Sequence, residues 1–273
     1  MVIMEDKSYK KSLGLFELVS LGVGGTIGSG IFVVPGIAAG IAGPSSLIAW
    51  LVVAISASCV MFSLGWASSR YPSTGAFCSI FGKVFGRKTS AFLVLLYLVS
   101  SIFGIATIAA GIGQYIFFFG YSDILIIEIL IIALFCLVNI RGISLSGTTE
   151  NILTTLKTIP LVILALLLLP YIQKNNFFPF YPAAPTDFMK ALIIVYWPFT
   201  GFEISAIPAG ETKDNKIIFR SLIIVMSIVT FVYILLNVSL IGSVGSSVLA
   251  GSPAPLATAS GLFIKDSEKL VAG

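Results

Sequence analysis

No charged residue lies between Glu17 and Arg70, and the first part of that stretch holds Gly22, Gly24, Gly25, Gly28 and Gly30. An uncharged run of this length exceeds the ~20 residues that one helix needs to cross a bilayer, so it accounts for more than one span. Each glycine costs roughly 0.8–1 kcal/mol of helix propensity relative to alanine, which handicaps continuous helix at this turn by about 4–5 kcal/mol. In hydrocarbon, backbone N–H and C=O groups freed from a helix are tolerated only where they are buried in protein or line a watery cavity. An interrupted span is therefore a candidate binding site. The same glycines have a second reading, in which Gly24 and Gly28 form a close-packing face of an unbroken helix.

With 57% apolar and 10% charged residues among 273, the chain is an all-α integral membrane protein of the multi-pass type. Apolar lengths place seven spans at about 13–35, 46–68, 90–119, 124–140, 151–170, 189–209 and 221–242. The third is long enough to tilt strongly or to project beyond the bilayer. With the N-terminus inside, eleven Lys and Arg residues fall in inner segments (Lys7, Lys10, Lys11, Arg70, Lys83, Arg87, Lys88, Arg141, Lys213, Lys216, Arg220) and four outside (Lys174, Lys190, Lys265, Lys269). That excess sets a cytoplasmic N-terminus in the cell membrane. It also explains the formal charge of +4 without a nucleic-acid partner, because the basic residues are spread over separate loops.

Other chemistries are removed by composition. There is no histidine, which excludes His-based metal sites, Ser-His-Asp catalysis and His proton relays. Cys59, Cys78 and Cys136 are odd in number and lie in or beside spans, so they read as small apolar fillers. Nothing in the sequence calls for a cofactor, and an enzyme is not expected.

A second interruption lies in the sixth span, at Tyr196-Trp-Pro-Phe-Thr-Gly-Phe-Glu203, with Pro208, Gly210 and Glu211 beyond it. Pro198 removes a donor and clashes with the preceding turn, and Gly201 loosens the backbone three residues on. A kinked but continuous helix satisfies the proline alone. If five spans form one repeat, however, spans one and six correspond, and paired Gly/Pro breaks in corresponding spans point to the binding site of an inverted-repeat transporter.

Four stretches carry a resemblance to the amino acid-polyamine-organocation superfamily of permeases: Ile27-Gly-Ser-Gly-Ile-Phe32, Tyr71-Pro-Ser-Thr-Gly-Ala-Phe77 with Phe81-Gly82, Leu156-Lys-Thr-Ile-Pro160, and Gly201-Phe-Glu203 running on to Gly210-Glu211. Pro253-Ala-Pro-Leu-Ala257 resembles the outer loop that follows the seventh span in that family. Ala76 stands where a second glycine is usual, and Phe77 and Cys78 where a tyrosine is frequent. The resemblance implies a 5+5 inverted-repeat fold with spans one and six discontinuous. The chain would then divide into a cytoplasmic N-terminus (1–12), a complete first repeat (13–172) and the first two spans of the second repeat with an outer loop (187–273). The expectation that follows is a chain truncated after span seven, either a fragment or one part of a split transporter completed by a second chain. Secondary active transport of amino acids is the implied activity, with a non-transporting membrane scaffold as the alternative.

An amino acid zwitterion needs donors for its carboxylate and acceptors for its ammonium a few ångströms apart, and broken helices supply both. The N–H groups near Gly28, Ser29 and Gly30 form the positive end of a half-helix. Carbonyls around Thr26, Ile27, Trp197, Phe199 and Thr200, beside Gly201, can accept from the ammonium, and the resemblance implies that these positions hold the substrate backbone. Trp197 and Phe202 are candidate walls or gates, although aromatic residues in helices often simply pack. If the fifth span begins near Glu150, Lys157 lies about 10 Å deep, where an unpaired ammonium costs roughly 2.5–3.5 kcal/mol or more. Either it snorkels to the inner surface or, as the resemblance implies, it stands where sodium-coupled relatives hold a cation. The second reading makes protons, or exchange, the coupling partner, with Glu203 as a further protonatable group.

Overall fold

The structure is a computed structural model, described here over residues 13–71, 76–140, 147–181, 184–206, 209–214 and 216–263. The proposed cytoplasmic segment 1–12, the middle of the Tyr71–Phe77 motif and the chain beyond residue 263 lie outside the described residues. Among the described residues the regular structure is helical, and the one departure is an isolated parallel bridge between Leu13 and Thr212.

Helix α1 (Leu15–Thr26) opens with the Gly14 N–H donating to Glu17 Oε2 at 2.9 Å, which satisfies one of the donors that a helix start leaves unpaired. The helix stops at Thr26, and α2 (Gly30–Ala42) begins after three non-helical residues. The first span therefore runs to Ala42, seven residues beyond the expected end near residue 35, because Pro35 is accommodated inside α2. What ends it is a turn at Gly43–Ser45, where Gly43 adopts φ +59°, a conformation that costs glycine nothing sterically.

Then follow α3 (Ser46–Arg70), α4 (Ala76–Phe85), α5 (Arg87–Phe118), α6 (Ile124–Ile140) and α7 (Gly147–Leu168). The short α4 falls in a segment read from the sequence as a loop. At 1.5 Å per residue α5 is about 48 Å long, well beyond the hydrocarbon thickness. The sixth span is α8 (Pro185–Tyr196) followed by 3-10 turns at Trp197–Phe199 and Phe202–Ala206. The long α9 (Lys216–Val244) and two short helices, α10 (Ser246–Ala250) and α11 (Pro255–Ser260), complete the described chain. Among the described residues, four helical stretches are long and apolar enough to cross a membrane: Gly30–Arg70, Arg87–Phe118, Thr154–Tyr171 and Lys216–Val244. Leu15–Thr26 and Ile124–Leu134 are shorter apolar helices.

The core is built around α9, which packs on α1, α3 and α7. Ile218, Leu222, Val225, Val229, Val232, Leu236 and Leu240 recur at helical spacing and are buried along one face. They meet Leu18 of α1, Trp50, Val53 and Ala57 of α3, and Leu161, Leu164 and Leu168 of α7. Helices α5 and α6 lie outside this core, and Leu95, Leu98, Ile102, Phe103, Leu130 and Leu134 are exposed apolar residues on them. Such a surface suits a bilayer as solvent.

Candidate substrate site at two helix breaks

The two interruptions lie against each other. A side chain at Gly201, which has φ +107°, would place its Cβ 2.3 Å from the Gly25 carbonyl oxygen, and one at Gly25 would come within 2.9 Å of the Gly201 oxygen. Only residues without a Cβ let the two backbones approach this closely. Gly30 likewise rests on Pro198, whose Cα is 3.1 Å from a Cβ built there, whereas a Cβ at Gly28 meets nothing within 4 Å.

Several carbonyls near the end of α1 find donors outside the regular helix ladder. Ile27 N–H returns to Val23 O (2.8 Å) and the Thr26 hydroxyl to Gly22 O (2.7 Å). The carbonyl of Gly24, which an unbroken helix would pair with the N–H of Gly28, instead accepts from the ammonium of Lys157, because Gly28 N–H has turned to Thr26 O (2.9 Å). A cation at this helix C-terminus also complements the macrodipole of α1. Lys157 is thus half-buried and directed inward to the break. Its reach to Gly24 is not that of a side chain snorkelling to the surface.

A residue absent from the sequence-level site ties the two breaks together. Tyr233 of α9 is fully buried, and its hydroxyl lies 3.0 Å from the Thr26 carbonyl and 2.9 Å from the Pro198 carbonyl. Its ring sits 5.4 Å from that of Trp50 and 5.1 Å from that of Phe199, both edge-on. The available signal was a tyrosine in mid-span of an otherwise apolar helix, because a buried phenol needs a polar partner.

At the second break, the N–H and hydroxyl of Thr200 both donate to Trp197 O (3.0 and 2.7 Å), and the N–H of Gly201 donates to Glu203 Oε2 (2.8 Å). The carboxylate of Glu203 therefore caps the start of the Phe202–Ala206 turn. A negative charge is favourable there for the same reason that Lys157 is favourable at the end of α1.

Between these backbone ends lies a cavity of about 460 Å³, a volume in the range of small-molecule sites. It is lined by Thr26, Gly28, Ser29 and Gly30 of the first break and by Trp197, Thr200, Gly201 and Glu203 of the second. Its far wall is α5, through Tyr97, Ser100, Ser101, Gly104, Thr107 and Ile108. That wall was missed from the sequence, although hydroxyl groups recurring at three- and four-residue spacing on an apolar helix were its signature. Ser29 Oγ is buried and, among the described residues, lacks a hydrogen-bond partner.

The remaining candidates fall elsewhere. Ile27 and Lys157 line a second cavity of about 310 Å³ on the other side of Ser29. Phe199 packs on Trp50 and Tyr233, and Phe202 is buried in the main core; neither lines the 460 Å³ cavity. Trp197 is the aromatic residue of the sixth span that reaches it. Since Thr26 O and Trp197 O already have two donors each, the backbone groups that the cavity-lining residues leave for a ligand include the N–H groups of Ser29 and Gly30, at the unpaired start of α2, and the carbonyl of Thr200.

Two interrupted apolar helices meeting at a polar cavity define the class, a helical membrane protein with a broken-helix site. The amino acid permease family profile matches residues 13–269. The chain belongs to the amino acid permease family. It is 30% identical over 258 residues to the inner membrane transport protein YbaT of Escherichia coli (strain K12), covering 90% of this chain and 59% of YbaT. It is 31% identical to the L-methionine/branched-chain amino acid exporter YjeH of the same organism (82% of this chain, 54% of YjeH). Identity to the serine/threonine exchanger SteT of Bacillus subtilis (strain 168) is 26% (98% of this chain, 63% of SteT). The chain thus spans less than two thirds of the length of each of these relatives.

Proposed function

We propose that this chain carries the substrate site of a secondary transporter for amino acids, coupled to protons or working by exchange, with its N-terminus in the cytoplasm. The observation that carries the reading is the 460 Å³ cavity into which both helix breaks open. The substrate carboxylate sits on the N–H groups of Ser29 and Gly30, at the positive end of α2. Its ammonium is held by the carbonyl of Thr200 at the second break. Trp197 forms one wall, and Phe202 acts only indirectly, by packing behind the second break. Lys157 takes the coupling role beside the cavity, with Glu203 as the second ionisable group.

A neutral amino acid is the favoured substrate. The cavity offers hydroxyl groups from Ser29, Ser100, Ser101, Thr107 and Thr200, while Glu203 is its one carboxylate and already accepts from Gly201. Two of the relatives above are named for neutral amino acids. Gly28→Leu is the clean test, because a Cβ there meets nothing within 4 Å and the side chain starts in the open space of the cavity. In nanodiscs holding the purified chain, saturable binding of tritiated alanine should fall by roughly tenfold or more in the variant, with an unchanged elution profile. Undiminished binding in Gly28→Leu, or a parent that ranks arginine far above alanine and leucine, would overturn the assignment. Uptake into proteoliposomes then separates transport from binding alone.

A further inference from the structure

The 460 Å³ cavity and the 310 Å³ cavity share three lining residues, Gly28, Ser29 and Ile108. Gly28 has no side chain and that of Ser29 is small, so the bulk of the shared wall is the side chain of Ile108, on α5. The two sides of this wall differ in chemistry. On the first side are hydroxyl groups, Glu203 and the two helix ends. On the second, Ile27, Phe32, Gly111, Ile112 and the ring of Tyr115 form an apolar chamber whose one charged residue, Lys157, is turned to Gly24 O. The Tyr115 hydroxyl is likewise occupied, donating to Phe32 O at 2.8 Å. The chamber therefore offers chiefly hydrocarbon to a ligand. Gly111 keeps it open: a Cβ there would lie 3.2 Å from Ser29 Cβ and 3.7 Å from Val33 Cγ2.

We propose that Ile108 is a specificity-determining residue that closes the apolar chamber to the substrate and so limits the length of the amino acid side chain the site accepts. This inference rests on the placement of the substrate at the two helix breaks. With Ile108 in place, a compact side chain such as that of alanine, serine or threonine is held among the hydroxyl groups of the first cavity. Trimming Ile108 to alanine joins the two cavities next to Gly28 and Ser29, where the substrate α-carbon would lie. A long aliphatic side chain then has an apolar volume to enter, and each methylene it buries adds to its affinity.

The test compares binding of alanine and norleucine to the full chain in nanodiscs, for the parent, Ile108→Ala and the double variant Ile108→Ala/Ile112→Phe. Ile108→Ala is expected to raise the norleucine-to-alanine affinity ratio by roughly tenfold or more, a gain that misfolding cannot produce. Refilling the chamber from its far side in the double variant should return the ratio towards the parental value. A parent that binds alanine, with a ratio unmoved by Ile108→Ala, overturns the role of Ile108 and leaves the site intact. A gain that survives Ile112→Phe overturns the chamber as the place where the side chain goes. A parent that binds neither amino acid overturns the site and this inference together.

Discussion

Two side chains do at this site part of what a continuous helix does for itself. Breaking α1 after Thr26 strands its last carbonyls, and Lys157 and Tyr233 supply donors to those of Gly24 and Thr26. Tyr233 is the one of the two that also reaches the second break. Phenylalanine at 233 would keep the contacts with Trp50 and Phe199 and leave the Pro198 carbonyl without that donor. An unsatisfied buried acceptor costs on the order of 1–3 kcal/mol. Tyr233→Phe should therefore lower the thermal unfolding midpoint and weaken alanine binding together, as followed by fluorescence melting and radioligand titration. A variant that melts and binds like the parent would show that the two breaks hold their geometry without the bridge. Tyr233 was not legible as a site residue because its partners lie 207 and 35 residues away along the chain. Lys157 and the two breaks were legible, since an ammonium within a span and glycines clustered in nine positions are both costly unless something requires them.

At the scale of elements, helix propensity located the first break and proline chemistry the second, but neither revealed how closely the two approach. Gly201 is the sharpest case. Its φ of +107° and the Gly25 oxygen 2.3 Å from a would-be Cβ mean that alanine there must force the two backbones apart. Gly201→Ala should lose on the order of 1–3 kcal/mol of stability, read as a fall in monodisperse protein recovered from the membrane. Gly104→Ala, whose added Cβ meets nothing within 4 Å, should keep its folded yield. Equal yields from both would mean that the crossing of the two spans is loose. The extension of α2 to Ala42, past the boundary near residue 35 that apolar length suggested, is of a related kind. Pro35 lies inside α2, and a membrane helix accommodates proline where its neighbours and local adjustments satisfy the freed carbonyl.

For the molecule as a whole, the proposed coupling turns on charge. If the ammonium of Lys157 stands beside the position where a coupling cation would bind, two unit charges ~4 Å apart at an effective dielectric of ~20 repel by about 4 kcal/mol. Amino acid movement supported by this chain should then be indifferent to Na⁺ and respond to a pH gradient or to amino acid on the far side. Lys157→Met keeps the length of the side chain and removes its charge. It should uncouple accumulation from the proton gradient while equilibrium binding persists at a reduced level, because Gly24 O loses its donor. External Na⁺ driving uptake into vesicles, or full proton-driven accumulation by Lys157→Met, would reduce Lys157 to a cap on α1.

What the sequence by itself determined were the properties that depend on local composition. Membrane residence follows from the cost of exposing apolar surface to water. The two interruptions follow from glycine and proline energetics, and the family from short motifs around those interruptions. What only the tertiary structure decided is which surfaces those interruptions meet. The hydroxyl-bearing wall of α5, the Tyr233 bridge from α9, the turning of Lys157 to Gly24 and the burial of Phe199 and Phe202 away from the cavity all depend on contacts between residues far apart in the chain. A periodic pattern shows that a helix has a polar or an apolar face, but the direction of that face is set by packing against every other helix at once.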